Sequence, residues 1–155
     1  IGLYLIVQQL GGVVAALICG QLIDRVGSWA AIRLVAGVQG AALLAATSAA
    51  LVAPGALYVA AFTLLGFVGA SSWWSFSAYL LDQASEGERP IYLATTGILT
   101  SPTFLASLAV GAFFEVLVPE WVFGGALALS AAGLALAWSI PKGARATEIE
   151  MGLPE

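Results

Sequence analysis

Residues 1–23, IGLYLIVQQLGGVVAALICGQLI, carry no charge, and Asp24-Arg25-Val26-Gly27-Ser28 then breaks the run. An α-helix rises about 1.5 Å per residue, so such a stretch crosses a hydrocarbon core of roughly 30 Å. The pattern recurs along the chain. Leu34 to Leu81 is again uncharged, too long for one span and suited to two, with Pro54-Gly55 as the turn. Asp82-Gln83-Ala84-Ser85-Glu86-Gly87-Glu88-Arg89-Pro90 is the next polar break, and Pro90 suits the first turn of a fourth helix. Glu115 to Glu120 reads as a short acidic turn around Pro119, and Pro141 stops a fifth helix. The expected fold is an all-α membrane protein with five transmembrane helices, at about 1–23, 29–53, 56–81, 90–114 and 121–140. Residues 142–155 read as a disordered polar tail.

Composition agrees with a lipid environment. Hydrophobic residues make up 61% of the chain and charged residues 9%, against about 25% charged in a soluble domain. All five basic residues can lie on one side of the bilayer: Arg25 and Arg33 in the first break, Arg89 in the second, Lys142 and Arg145 in the tail. Cytoplasmic loops carry the excess of Lys and Arg, so this side is expected to be cytoplasmic. Trp121, Trp29 and Tyr92 fall at expected boundaries, where aromatic belts occur.

Other classes of function lose support. There is no histidine, which removes Ser-His and Cys-His nucleophile pairs and histidine-bearing zinc sites. The only lysine, Lys142, lies in the tail, too far from the spans to serve a Ser-Lys dyad. No basic patch suits nucleic acid, and no phosphate-binding G-x-x-x-x-G-K-[ST] loop suits direct ATP drive. No enzyme activity, cofactor or metal is expected. The single cysteine, Cys19, reads as a small buried hydrophobe. The chain opens at Ile1 inside an apolar run, which reads as a fragment beginning within or just before a span.

Two motifs carry a resemblance. Gly20-Gln21-Leu22-Ile23-Asp24-Arg25-Val26-Gly27 resembles the G-x-x-x-D-R-x-G signature loop of the major facilitator superfamily. Ser28 and Trp29 stand where basic residues usually follow, a departure that resembles the weaker copy in the C-terminal half of that family. Tyr79 to Tyr92 is similar to the segment leading into the eleventh helix of bacterial members, and Gly97, Ser101-Pro102 and Gly111 fall at that helix's usual glycine and proline positions.

The resemblance covers about residues 1–141. It implies the last five helices of a twelve-helix secondary transporter in a bacterial cytoplasmic membrane. Its partners would then be the bilayer, the missing N-terminal half and a small-molecule substrate. A multi-span scaffold or assembly subunit is the alternative.

Several residues are candidates for function. The resemblance makes Gly20, Asp24, Arg25 and Gly27 a cytoplasmic gate motif, with Asp24 pairing with a helix N-terminus or a basic side chain in one conformation. Asp82, Glu86 and Arg89 share that face and can make ion pairs that re-form as the halves rock. Gln8, Gln9 and Gln39 are costly to bury in lipid and, with Trp73 and Trp74, are candidates to line a cavity. Membrane-embedded Ser and Thr are expected to bond their own backbone or a neighbouring helix. Gly12, Ala16 and Gly20 repeat every four residues and are expected to let helices approach closely. Pro102 is expected to kink the fourth helix. No charged residue lies deep in any expected span, so no proton- or ion-coupling group is visible.

Overall fold

The computed structural model describes residues 2–52, 55–85, 87–98, 100–102 and 119–141, with side chains at all of these except 119–123. Every regular element among them is a helix: α1 Gly2–Arg25, α2 Ser28–Val52, α3 Gly55–Gln83, α4 over 89–98 and 100–102, and α5 Pro119–Ser139. Three of them, α1, α2 and α3, are long and apolar enough to cross a membrane. The described side chains of α5 form a shorter apolar stretch, Gly124–Ser139. The expected turn at Pro54, most of the acidic turn at 115–120 and the tail lie outside the described residues.

Two helix ends differ from the sequence reading. Asp24 and Arg25, read as a polar break, complete the last turn of α1. Arg25 is favoured there because a cation complements the negative end of the helix dipole. Pro119 and Glu120, read as part of a turn, open α5. Proline suits a first turn, where its missing N–H costs nothing.

Only Val26 and Gly27 separate α1 from α2. The Gly27 amide donates to the carbonyls of Leu22 and Ile23 at 3.2 and 3.1 Å, ending α1, and its own carbonyl accepts from Ala30 at 3.2 Å, starting α2. This double duty requires φ of 113° at Gly27, a conformation that disfavours any Cβ. Gly27→Ala is expected to lower the unfolding free energy by about 1–2 kcal/mol, read as a lower thermal midpoint of the detergent-solubilised protein.

The helix α3 is central and packs along both α1 and α2, while α5 packs against α2. The residues at these contacts are mostly small. Ala15, Ala31, Ala42, Ala49, Ala61, Ser28, Ser71 and Ser75 are buried, and Val35 and Phe67 are the larger members of the core. The large apolar side chains point outward instead: Leu129 is 77% exposed, Ile98 73% and Leu17 63%. A water-soluble protein buries its large apolar side chains and rarely exposes such wide apolar surface. Helices in lipid gain nothing by hiding leucine from hydrocarbon, so small residues take the contacts. This inside-out distribution and the three long apolar helices identify a membrane-embedded fold.

Candidate functional site

Two glycines let α1 and α3 touch backbone to backbone. A methyl group on Gly66 would lie 1.8 Å from the Gln8 carbonyl oxygen, and one on Gly11 would lie 2.1 Å from the Thr63 carbonyl oxygen. The expected Gly12, Ala16, Gly20 row does not make this contact. The buried row is Gly11, Ala15 and Cys19, one residue earlier. Both rows have the same period, and periodicity fixes spacing but not the rotation of a helix against its neighbour. Gly12 is half-buried, with its Cβ position 3.2 Å from the Ala70 Cβ, and Gly20 has nothing within 4 Å.

The displaced row lines a groove along the α1/α3 seam. One section, of about 270 Å³, is lined by Gln8, Gln9, Gly12, Gly66, Gly69 and Ala70. The next, of about 360 Å³, is lined by residues including Ala16, Cys19, Gly20, Asp24, Ser71 and Trp74. Ala70 belongs to both, so the groove runs from the two side-chain amides to the Asp24 carboxylate at the end of α1. Missing side-chain volume at 12, 16 and 20 makes room for it. Trp74 is 72% exposed at its edge, and the adjacent Trp73 is exposed as well. Residues one apart diverge by roughly 100° on a helix, so this face of α3 is broadly open.

At the Asp24 end, four helix termini come together. Ser28, the first residue of α2, donates from Oγ to Asp82 Oδ2 at 2.5 Å, joining the start of α2 to the end of α3. A carboxylate is favoured at this position by the α2 dipole. In this structure Asp82 rather than Asp24 occupies a helix N-terminus, and Asp24 and Arg25 are exposed. Loss of a hydrogen bond to a charged group costs about 1.5–3 kcal/mol. Ser28→Ala is therefore expected to destabilise the protein by about 2 kcal/mol, while Asp82→Asn, which keeps an acceptor oxygen, costs less. Thermal melts of the two variants check this order.

Arg33 forms the second junction. Its Nε donates to the Ala137 carbonyl at 3.2 Å, and its Nη2 to those of Trp138 and Ile140 at 3.0 and 2.9 Å. The guanidinium also stacks 4.6 Å from the Trp29 ring and 5.9 Å from that of Trp138. The Tyr79 hydroxyl reaches the Pro141 carbonyl at 3.4 Å. The break at 24–33, the end of α3 and the end of α5 therefore share one end of the molecule.

The remaining candidates are dispersed. Gln39 lines a separate cavity between α2, α3 and α5, away from Gln8 and Gln9. Arg89 is exposed at the start of α4, where Ser85 Oγ donates to Glu88 Oε2 at 2.8 Å. Glu86 lies outside the described residues. Pro102 is exposed and is the last described residue of α4, so the expected kink falls outside as well.

Helical hydroxyls mostly bond back along their own helix, as Thr47, Thr63, Ser71, Thr96 and Thr100 do to carbonyls four residues earlier. Among the described residues, the buried hydroxyl oxygens of Ser75, Ser77 and Ser130 have no hydrogen-bond partner. The Cys19 thiol sits beside Ser71 and Ser75, and the Ser75 hydroxyl can donate to its sulfur, a weak acceptor. No group of three or more metal-ligating side chains occurs among the described residues.

Sequence reasoning missed the Arg33 junction and Ser130. A signal for the first was present: the last turn of α5 holds no basic residue of its own, so its carbonyls need a donor from elsewhere. Compared with protein families, curated proteins and solved structures, the chain matches none.

Proposed function

We propose that this chain is part of a secondary transporter of the major facilitator type, moving a small solute across a bacterial cytoplasmic membrane by alternating access. The α1/α3 groove carries this reading. It is an open groove in an apolar helix pair with polar side chains at its two ends, and it leads from Gln8 and Gln9 to the end where Asp24, Arg25 and Asp82 lie. In the proposed mechanism the groove is one wall of a central path, whose other wall is an N-terminal helical half. The two walls rock about a bound solute and expose it to each side in turn. Gln8 and Gln9 offer neutral donors and acceptors to the solute.

Gly27 lets the chain turn tightly after Asp24 and Arg25 at the end of α1, Gly20 leaves the groove open beside them, and the Asp82–Ser28 bond ties the start of α2 to the end of α3. These contacts act as the gate on the basic side, which is cytoplasmic by the positive-inside rule. The described spans contain no charged group at depth, so the coupling residue, where transport is ion-driven, belongs to the other half.

A cysteine placed at Gln9, in a Cys19→Ser background, tests the reading. Labelling with a membrane-impermeant maleimide is done on intact cells and on inverted vesicles. A transporter exposes this position to water from at least one side, and solute or gate variants such as Asp82→Asn change the labelling rate several-fold. Complete protection from both sides would mean that the groove is filled by a packed helix, as in a scaffold subunit, and would overturn the proposal.

A further inference from the structure

Arg33 stands on the second turn of α2, about 8 Å along the helix from Ser28. Its side chain runs toward the basic end of the molecule, where it reaches the carbonyls of Ala137, Trp138 and Ile140. These bonds use three of the five N–H donors of a guanidinium, one on Nε and two on Nη2. The donors on Nη1 have no partner among the described residues, and that nitrogen is not sealed in the core.

The charge is unbalanced as well. Among the described residues no carboxylate pairs with Arg33: Asp82 accepts from Ser28, and Glu88 from Ser85. The end of α5 offers the equivalent of about half a negative charge. The guanidinium therefore keeps net positive charge at the rim of the bilayer, on the side whose basic helix ends face a negative leaflet. Beside it, Trp138 is 60% exposed, an amphipathic ring of the kind that sits at headgroup level.

We propose that this junction binds the phosphate of an acidic glycerophospholipid from the leaflet on the basic side, with phosphate oxygens accepting from Nη1 and the lipid body lying against Trp138. A guanidinium suits phosphate in both charge and donor geometry. The missing carboxylate selects the headgroup. A zwitterionic lipid brings an ammonium beside the guanidinium with no acid to receive it, and an anionic lipid does not. The exposed indole favours a lipid over a free anion, since only a lipid has an apolar part to set against it. The proposal stands on the docking of α5 on α2 and holds whether or not the α1/α3 groove carries a solute.

The test places the full chain in nanodiscs of equimolar dioleoyl phosphatidylglycerol and dioleoyl phosphatidylcholine. The protein is released into mild detergent and weighed with its retained lipid by native mass spectrometry. Phosphatidylglycerol is expected to be retained about five-fold over phosphatidylcholine, the attraction usual for one basic side chain at an anionic surface. Arg33→Gln, whose amide still donates to the end of α5 but carries no charge, is expected to abolish the preference. Arg89→Gln, which removes the same charge from an exposed position, leaves it unchanged. Excess inorganic phosphate leaves the lipid in place.

Equal retention of the two lipids, or an unchanged preference in Arg33→Gln, would overturn the proposal. So would an equal loss in Arg89→Gln, which would mean attraction to the basic side as a whole, or displacement by inorganic phosphate, which would mean a site for aqueous anions. Should Arg33→Gln fail to fold, Ala30→Glu decides the matter. It places a carboxylate in the first turn of α2, where the helix dipole favours it, three residues before Arg33 on the same face. With the counter-charge supplied from within the chain, the preference is expected to vanish, and its survival would overturn the proposal.

Discussion

Gly66→Ala is expected to separate α1 from α3 and to lower stability by about 3 kcal/mol, the upper end of the usual cost of overpacking. The added methyl would lie 1.8 Å from the Gln8 carbonyl oxygen, 2.6 Å from its carbon and 2.9 Å from its Cα. All three atoms are backbone of a continuous helix, so no side chain can swing aside and α1 must move as a unit. The same substitution at Gly20 meets nothing within 4 Å. There it gains up to about 1 kcal/mol of helix propensity.

Gly11→Ala is expected to resemble Gly66→Ala, because its methyl would meet the Thr63 carbonyl. The double variant is expected to cost less than the sum, since one displaced interface relieves both clashes. Thermal melts of the detergent-solubilised variants read all of these. Equal midpoints for Gly66→Ala and Gly20→Ala would show that the helices are not packed in this way.

Arg33→Ala has the second large effect. The last carbonyls of a helix have no partner within it, and α5 docks on α2. Arg33 supplies donors to two of these carbonyls and to that of Ile140 just beyond the helix, and it stacks on two indoles. Removing it is expected to cost about 3 kcal/mol in total, allowing for non-additivity among bonds to a charged group. Arg33→Lys falls between, because an ammonium cannot span several carbonyls and stack flat on a ring.

A cross-link between α2 and α5 distinguishes local loosening from loss of docking. A Cβ on Gly40 lies 3.9 Å from Ser130 Oγ, so Gly40→Cys with Ser130→Cys, in a Cys19→Ser background, is placed to form a disulfide. Oxidation is expected to be fast with Arg33 present and several-fold slower in Arg33→Ala. Unchanged cross-linking would mean that apolar contact alone holds α5.

Much of the scaffold was legible in the residues. Long uncharged runs separated by short polar breaks dictate membrane helices, because only a segment that satisfies its own backbone bonds is stable in hydrocarbon. What periodicity does not carry is helix rotation. Gly11/Ala15/Cys19 and Gly12/Ala16/Gly20 are both four-residue rows of small side chains, and only the docking of α3 shows that the first row packs and the second opens a groove.

Contacts between distant residues were also hidden. The Ser28–Asp82 pair is 54 residues apart and the Arg33–Ala137 pair 104, and no local pattern links them. The polar residues divide for the same reason. Gln8 and Gln9 lie on the groove and Gln39 in the other cavity, although all three read alike as amides within an apolar span.

The central claim is a bundle that spans a bilayer with its basic helix ends gathered on one side. Single cysteines at Arg25, Arg89 and Gly55, each in a Cys19→Ser background, test it most directly by labelling with an impermeant thiol reagent on intact cells and inverted vesicles. Positions 25 and 89 are expected to react only in inverted vesicles, and position 55 only in intact cells. Labelling of 25 and 89 from opposite sides, or of all three from the same side, would contradict it.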